Sequence, residues 1–146
     1  MSENLSLKAF VILMKSAKSV EERIKKDIKS YGVSTTEFAI LEALYHKGNL
    51  TVQQICNAVL INSGSITYVI DKLQKRDLLA RTACSNDRRV VYVQITDLGK
   101  KLMDEIFPKH QEVIEKIFED INTDEKQAII NTLKRIGLKK GKEDKY

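Results

Sequence analysis

The chain has 146 residues, enough for one domain or one domain with a helical extension, and its 42% hydrophobic and 31% charged residues are the balance of a folded chain. No stretch approaches the roughly 18 apolar residues of a membrane span and no signal-peptide pattern opens the chain, so a cytoplasmic protein is expected. The 25 basic residues exceed the 20 acidic ones by only +5, a mild bias toward an anionic partner, and Cys56 and Cys84, in no CxxC or Cys/His cluster, predict reduced thiols and no zinc.

A first helix is predicted from about Leu5 to Ser30, because Leu7, Val11, Met14, Ala17, Ile24 and Ile28 recur at helical spacing. Tyr31-Gly32 ends it. Ser34 and Glu37 then form a capping box for a second helix reaching about His46. Thr51 and Gln54 repeat that arrangement for a short helix with Val52, Ile55, Cys56 and Val59, and Asn62-Ser63-Gly64 turns the chain into a fourth helix ending near Lys75. Leu79 to Cys84 and Val90 to Ile95 read as a hairpin around Ser85-Asn86-Asp87. Thr96-Asp97 caps a long fifth helix expected to reach Ile121, kinked at Pro108. Thr123-Asp124-Glu125 caps a last helix, and a charged tail from Lys139 is expected to fray.

Two short helices joined by a tight turn make a helix-turn-helix, and an arginine-tipped hairpin after it makes a wing. The fold class is therefore mainly α with a small β-hairpin wing, a winged helix-turn-helix plus a helical region. With Ile66, Val69, Ile70 and Leu73 inward, the fourth helix turns Ser63, Ser65, Thr67, Tyr68, Asp71, Lys72 and Lys75 to solvent. Hydroxyls and lysines suit phosphates and base edges in the major groove, while Arg88 and Arg89 at the wing tip suit the narrower, more negative minor groove. Asp71 does not suit phosphate, so it either accepts from cytosine or orients Lys72 or an arginine. The bland alternatives are a solvated helix face and a surface hairpin ion pair.

The run Ser65-Ile66-Thr67-Tyr68-Val69-Ile70-Asp71-Lys72-Leu73, followed by Leu78 and Arg81, by Asp87-Arg88-Arg89 and by Ile95-Thr96-Asp97-Leu98-Gly99, resembles the MarR family of transcription regulators. The resemblance spans nearly the whole chain. It implies a single domain over residues 1–146, with a winged helix-turn-helix at 32–98 and helical dimerisation parts at 1–31 and 99–140. It also implies a homodimer on palindromic double-stranded DNA, with Arg89 in the minor groove, Asp87 holding it and Arg88 nearer phosphate. Two positions depart from the family: Tyr68 stands where arginine is common, and Asp77 where a helix-ending glycine is frequent.

Family members often carry a ligand cleft beneath the dimer region. Phe38, Glu42 and Tyr45 share one stripe of the second helix, His110 sits on the apolar stripe of the fifth, and Phe10 would meet them if the family arrangement holds. Phe10, Phe38, Glu42 and His110 are thus the expected pocket for a small phenol or quinone; the alternative is an aromatic core with a satisfied Glu-His pair. The fourth-helix run in particular is similar to the quinone- and hydroquinone-responsive branch of the family. A thiol switch is a second option, with Cys56 reading as a core residue and Cys84, near Arg81, Arg88 and Arg89, as the better candidate. With no HExxH, GxSxG, P-loop or dinucleotide fingerprint, an enzyme is not expected and no cofactor is implied. A winged helix can also serve as a protein-interaction or nonspecific architectural DNA-binding module, which is the competing class.

Overall fold

The computed structural model describes residues 3–59 and 63–138. Residues 60–62, the side chains of Ser63 and Gly64, and the tail from residue 139 lie outside the described residues; of the expected Asn62-Ser63-Gly64 turn, Ser63 and Gly64 already belong to a helix. The chain divides into two compact units, Met1–Gln111 and Glu112–Tyr146.

In the first unit the order is α1 (Leu5–Lys29), α2 (Thr35–Lys47), β1 (Leu50–Thr51), α3 (Val52–Val59), α4 (Ser63–Lys75), β2 (Leu79–Ala83), β3 (Val91–Ile95) and the greater part of α5 (Asp97–Ile117). Local chemistry sets the helix starts. The Asn4 carboxamide accepts from the Leu7 amide, and Ser34 and Glu37 exchange capping bonds of 3.0 and 2.9 Å at the head of α2. Thr51 and Gln54 do the same at α3, with bonds of 3.1 and 2.8 Å.

The hairpin is present, with Leu79 opposite Ile95 and Ala83 opposite Val91, but it belongs to a larger sheet than expected. Leu50 and Thr51 pair antiparallel with Val93 and Tyr92, giving a three-stranded sheet in the order β1-β3-β2. A strand of two residues leaves no alternation to read, and Thr51 is already legible as a helix cap.

Ile40, Leu41 and Leu44 of α2, Ile55 of α3, Ile66, Ile70 and Leu73 of α4, Leu79 and Val93 of the sheet and Met103 of α5 are all less than 2% or at most 2% exposed. They form one continuous core. α1 contributes little to it: only Ile28 is buried, while Leu5, Leu7, Phe10, Val11 and Met14 face solvent. The expected stripe on α1 exists, but its first half covers nothing in the first unit.

The junction after α4 is tightly specified. Asp77 adopts a left-handed conformation (φ 58°), the geometry that the missing glycine would supply. The Leu78 amide returns to the Leu73 carbonyl at 3.0 Å, and the Thr96 hydroxyl and amide donate to the Asp77 and Leu78 carbonyls at 2.6 and 3.1 Å. Gly99 then passes so close that a Cβ would lie 2.4 Å from the Leu78 carbonyl oxygen and 2.6 Å from Ile95 Cγ1.

In the second unit, α5 ends at Ile117 rather than the expected Ile121, and α6 spans Thr123–Gly137. Asn122, not Thr123, is the cap: it and Glu125 exchange bonds of 2.9 and 3.0 Å, which stop any continuation from the preceding helix. α6 has no buried residue, and Ile129, Ile130, Leu133 and Ile136 are exposed.

Gly99→Ala is expected to lower unfolding stability by about 1–3 kcal/mol, because the nearest neighbours are a backbone carbonyl and a packed isoleucine that cannot withdraw freely. Denaturant unfolding of the variant beside the native chain measures it.

Candidate nucleic-acid interface and effector pocket

Burial of Ile66, Ile70 and Leu73 turns the opposite side of α4 outward, where Ser65, Thr67, Tyr68 and Lys72 are all exposed. Tyr68 is 65% exposed, and Lys72 Nζ lies 5.7 Å from its ring centroid, a cation-π arrangement. The position where an arginine was missing therefore carries an aromatic ring with a cation over it. Ser63 begins α4, but its side chain lies outside the described residues.

Asp71 orients an arginine, and the arginine is Arg81 of β2. Its Nη2 lies 2.8 Å from Asp71 Oδ1, and its Nη1 donates to Gln74 Oε1. The expectation that Asp71 serves a cation is met across the strand rather than along the helix.

At the wing tip Asp87 holds Arg89 in three ways. Its Oδ1 accepts from the Arg89 amide at 3.0 Å and from Nε at 3.2 Å, and its Oδ2 accepts from Nη2 at 3.4 Å. These bonds hold the Asp87 carboxyl below the usual aspartate range. The Arg89 side chain is nonetheless 91% exposed, and Arg88 is exposed beside it. Asp87 thus fixes the base of a guanidinium without covering it.

A second constellation joins α1, α2 and α5. His110 is buried; its Nδ1 lies 3.0 Å from Asp27 Oδ2, and its Nε2 lies 3.7 Å from Glu42 Oε2. His110 Nδ1 and Asp27 Oδ2 thus share a hydrogen bond, and the other Asp27 oxygen accepts from the Tyr31 hydroxyl. The 3.7 Å separation from Glu42 exceeds a direct hydrogen bond. Phe38 lies 4.6 Å from the His110 ring by centroids, and Phe107 continues the aromatic seam at 6.1 Å toward Tyr45 and His46. The Tyr45 hydroxyl donates to Asp104, which raises the tyrosine pKa.

Three of the four expected pocket residues, Phe38, Glu42 and His110, therefore meet. Phe10 does not: it is 59% exposed on the solvent-facing half of α1, and Asp27 and Tyr31 from the far end of α1 and the turn after it meet the histidine instead. A cavity of about 340 Å³ lies elsewhere, between the turn after α4 and the start of α5, lined by Arg76, Leu78, Leu98, Lys101, Leu102 and Glu105. Cys56 packs against the core and Cys84 is half-buried at the end of β2, both as free thiols.

The MarR family model matches residues 33–91, from the start of α2 into β3. The transcriptional regulator MhqR of Bacillus subtilis is 44% identical over 133 residues, 91% of this chain and 92% of the relative. This chain belongs to the MarR family. AbsC, a MarR family regulator of Streptomyces coelicolor, superposes with a TM-score of 0.83 at 18% identity, over 93% of this chain and 94% of its own. BpsR of Bordetella bronchiseptica does so with a TM-score of 0.80 at 24% identity, over 95% and 99%. These likenesses confirm the winged-helix fold.

As a MarR family member the chain is a transcription regulator and not an enzyme, and family members bind DNA. Among the described residues no helix is long and apolar enough to cross a membrane. Sequence reasoning missed Asp27, Tyr31, Phe107 and the role of Arg81. Asp27 carried a signal, since it falls between Ile24 and Ile28 on the packed side of α1. Arg81 carried none, because its partners are separated from it by the α4–β2 turn.

The Asp87 carboxyl, followed by carbon-detected NMR, is expected to titrate below the ordinary aspartate range in the native chain and to return toward it in Arg89→Ala. The wing-tip bonds are accordingly complete above that range and lost as pH falls through the depressed midpoint.

Proposed function

We propose that this MarR family regulator is a cytoplasmic homodimeric repressor that grips a palindromic operator and releases it when a small phenolic or quinone-like molecule enters the α2–α5 seam. The observation that carries the DNA reading is the Arg89 guanidinium, braced by Asp87 yet 91% exposed, on the wing that follows a helix with an outward face of hydroxyls and a lysine. A MarR family regulator of Streptomyces coelicolor of the same fold was solved in complex with DNA. Arg89 enters the minor groove, Arg88 meets phosphate, and Ser65, Thr67, Tyr68 and Lys72 face the major groove.

Dimerisation is supported by apolar residues that each unit leaves in water: Leu5, Leu7, Phe10, Val11 and Met14 on α1, and Ile129, Ile130, Leu133 and Ile136 on α6. Such patches mark interfaces, and a dimer would set two recognition helices roughly 34–36 Å apart, one DNA turn. Phe10 belongs to this apolar face rather than to the histidine cluster.

The effector reading rests on Phe38, Glu42 and His110 meeting within an aromatic seam. An entering aromatic ring would pack against Phe38 and Phe107, and its hydroxyl would bond to His110 Nε2 and the Glu42 carboxylate. The seam is closed by its own side chains, so entry displaces them and bears on α5. BpsR is regulated in its DNA binding by 6-hydroxynicotinic acid, also a hydroxylated ring. The likeness of the fourth-helix run to the quinone- and hydroquinone-responsive branch favours that class.

Selection from a random duplex pool is expected to return an inverted repeat bound roughly 10³-fold or more above random DNA at physiological salt. Arg89→Ala should weaken that complex about tenfold or more with an unchanged thermal midpoint. A chain that sediments as a monomer at micromolar concentration, or that prefers no sequence, is instead a protein-interaction or architectural module.

With hydroquinone as the probe, Glu42→Gln is expected to raise the concentration for half-release of DNA about tenfold. Cys84→Ser should leave the response intact. An unchanged Glu42→Gln response removes the seam as the effector site, and a response abolished by Cys84→Ser replaces it with a thiol switch.

A further inference from the structure

We propose that Arg81 is a positioning residue for DNA reading: it touches no DNA itself but fixes the angle between the recognition helix α4 and the wing. The inference rests on sequence-specific DNA binding and names two side chains, Arg81 and Asp71, that this binding depends on without contacting the duplex.

Arg81 lies in the middle of β2, opposite Val93, and its guanidinium reaches back to α4. Nη2 meets Asp71 at 2.8 Å while Nη1 donates to Gln74, one turn further along the same helix face. A planar fork that engages two groups on one helix fixes rotation as well as distance, which a single bond or a lysine cannot do. The Arg81 side chain is 28% exposed, against 91% for Arg89 at the tip. Its donors are directed at α4, whereas those of Arg89 are braced from one side and open on the other.

The lever arm makes this joint matter. Three extended residues separate Arg81 from Cys84, whose amide donates to the Val90 carbonyl, so the wing tip stands roughly 10 Å or more away at 3.3 Å per residue, and a hinge of about 10° would move it by roughly 2 Å. A hydrogen bond to a base edge or phosphate tolerates only a few tenths of an ångström. At the root of the wing the backbone is already pinned by Thr96 to Asp77 and Leu78. Arg81 adds the side-chain tie between strand and helix face, and at the same time it neutralises Asp71, the one carboxylate that α4 turns outward.

The competing role for Arg81 is a phosphate contact, and a double-mutant cycle separates the two. Full-length native chain, Asp71→Asn, Arg81→Gln and the double variant would be titrated with the inverted repeat selected by the native chain and with a random duplex, at two salt concentrations. A positioning role predicts that each single variant lowers the specific-to-random affinity ratio about tenfold. It also predicts that the double variant is no worse than the poorer single one, and that binding to random DNA keeps its salt slope. Asp71→Asn leaving the ratio unchanged or raised, or Arg81→Gln lowering the random-DNA salt slope by about one, would make Arg81 a phosphate contact and overturn the proposal. Arg81→Lys keeps the charge and loses the fork, so it guards against a glutamine variant that fails to fold. The ratio falls with lysine too if the fork positions the wing, and recovers if only a cation is needed. A native chain that selects no sequence at all defeats the DNA reading itself, an outcome distinct from any of these.

Discussion

The structure depends on one constraint: α4 must be half in the core. Ile66, Ile70 and Leu73 are 0% exposed, and burying side chains of that size is worth about 1.5–3 kcal/mol each. Their sum approaches the whole net stability of a domain, so α4 cannot rotate about its axis without unfolding its surroundings. Everything that Thr67, Tyr68 and Lys72 offer to solvent follows from that fixed rotation. The recognition surface proposed for α4 is therefore a by-product of core packing, with its chemistry chosen at the positions the core does not use.

Rotation about the helix axis is only one degree of freedom, and ion pairs constrain others. Glu37, buried at the head of α2, accepts from the Ser34 amide and from Arg76 at 3.2 Å, tying the residue that follows α4 to α2. Asp71 with Arg81 ties α4 to the wing, and Asp87 with Arg89 sets the tip. The wing-tip pair is open to solvent and contributes little to stability because water screens it, whereas the Glu37 and Arg81 pairs are partly withdrawn from water. Their effect is orientational, and each carboxylate lies where an unbraced arginine would otherwise sample many rotamers.

Much of this was legible in the chain because it is locally encoded. The capping boxes at Ser34 and Thr51 and the periodicity of Ile66, Val69, Ile70 and Leu73 each depend on residues within one or two turns of one another. The Asp87-Arg89 brace is likewise a two-residue motif. What escaped is nonlocal or too short. β1 exists only because Val93 and Tyr92 offer it partners, the Arg81 tie crosses a turn, and Asp27 meets His110 across 83 residues. Phe10 stands apart from the histidine cluster for a related reason: periodicity identifies an apolar stripe but not what covers it, and the stripe of α1 is buried only at its Ile28 end.

The same reasoning bears on why a histidine sits in the core beside two carboxylates. α1 gives the first unit only one buried apolar residue, so its C-terminal end is held to α2 and α5 largely through Asp27, Tyr31 and His110. A buried polar cluster of this kind seldom outperforms well-packed apolar residues in stability, but it is directional and fails as a unit when one partner is displaced. Entry of a hydroxylated ring against Phe38, with its hydroxyl at His110 and Glu42, would therefore disturb more than a side-chain rotamer. It would act on the fastening of α1, whose other half carries exposed apolar residues, and on α5, whose first turn is locked to the end of the recognition helix through Thr96 and Gly99. Under the proposed reading the effector needs no long pathway: the helix that carries His110 is the helix that abuts the root of α4 and the wing.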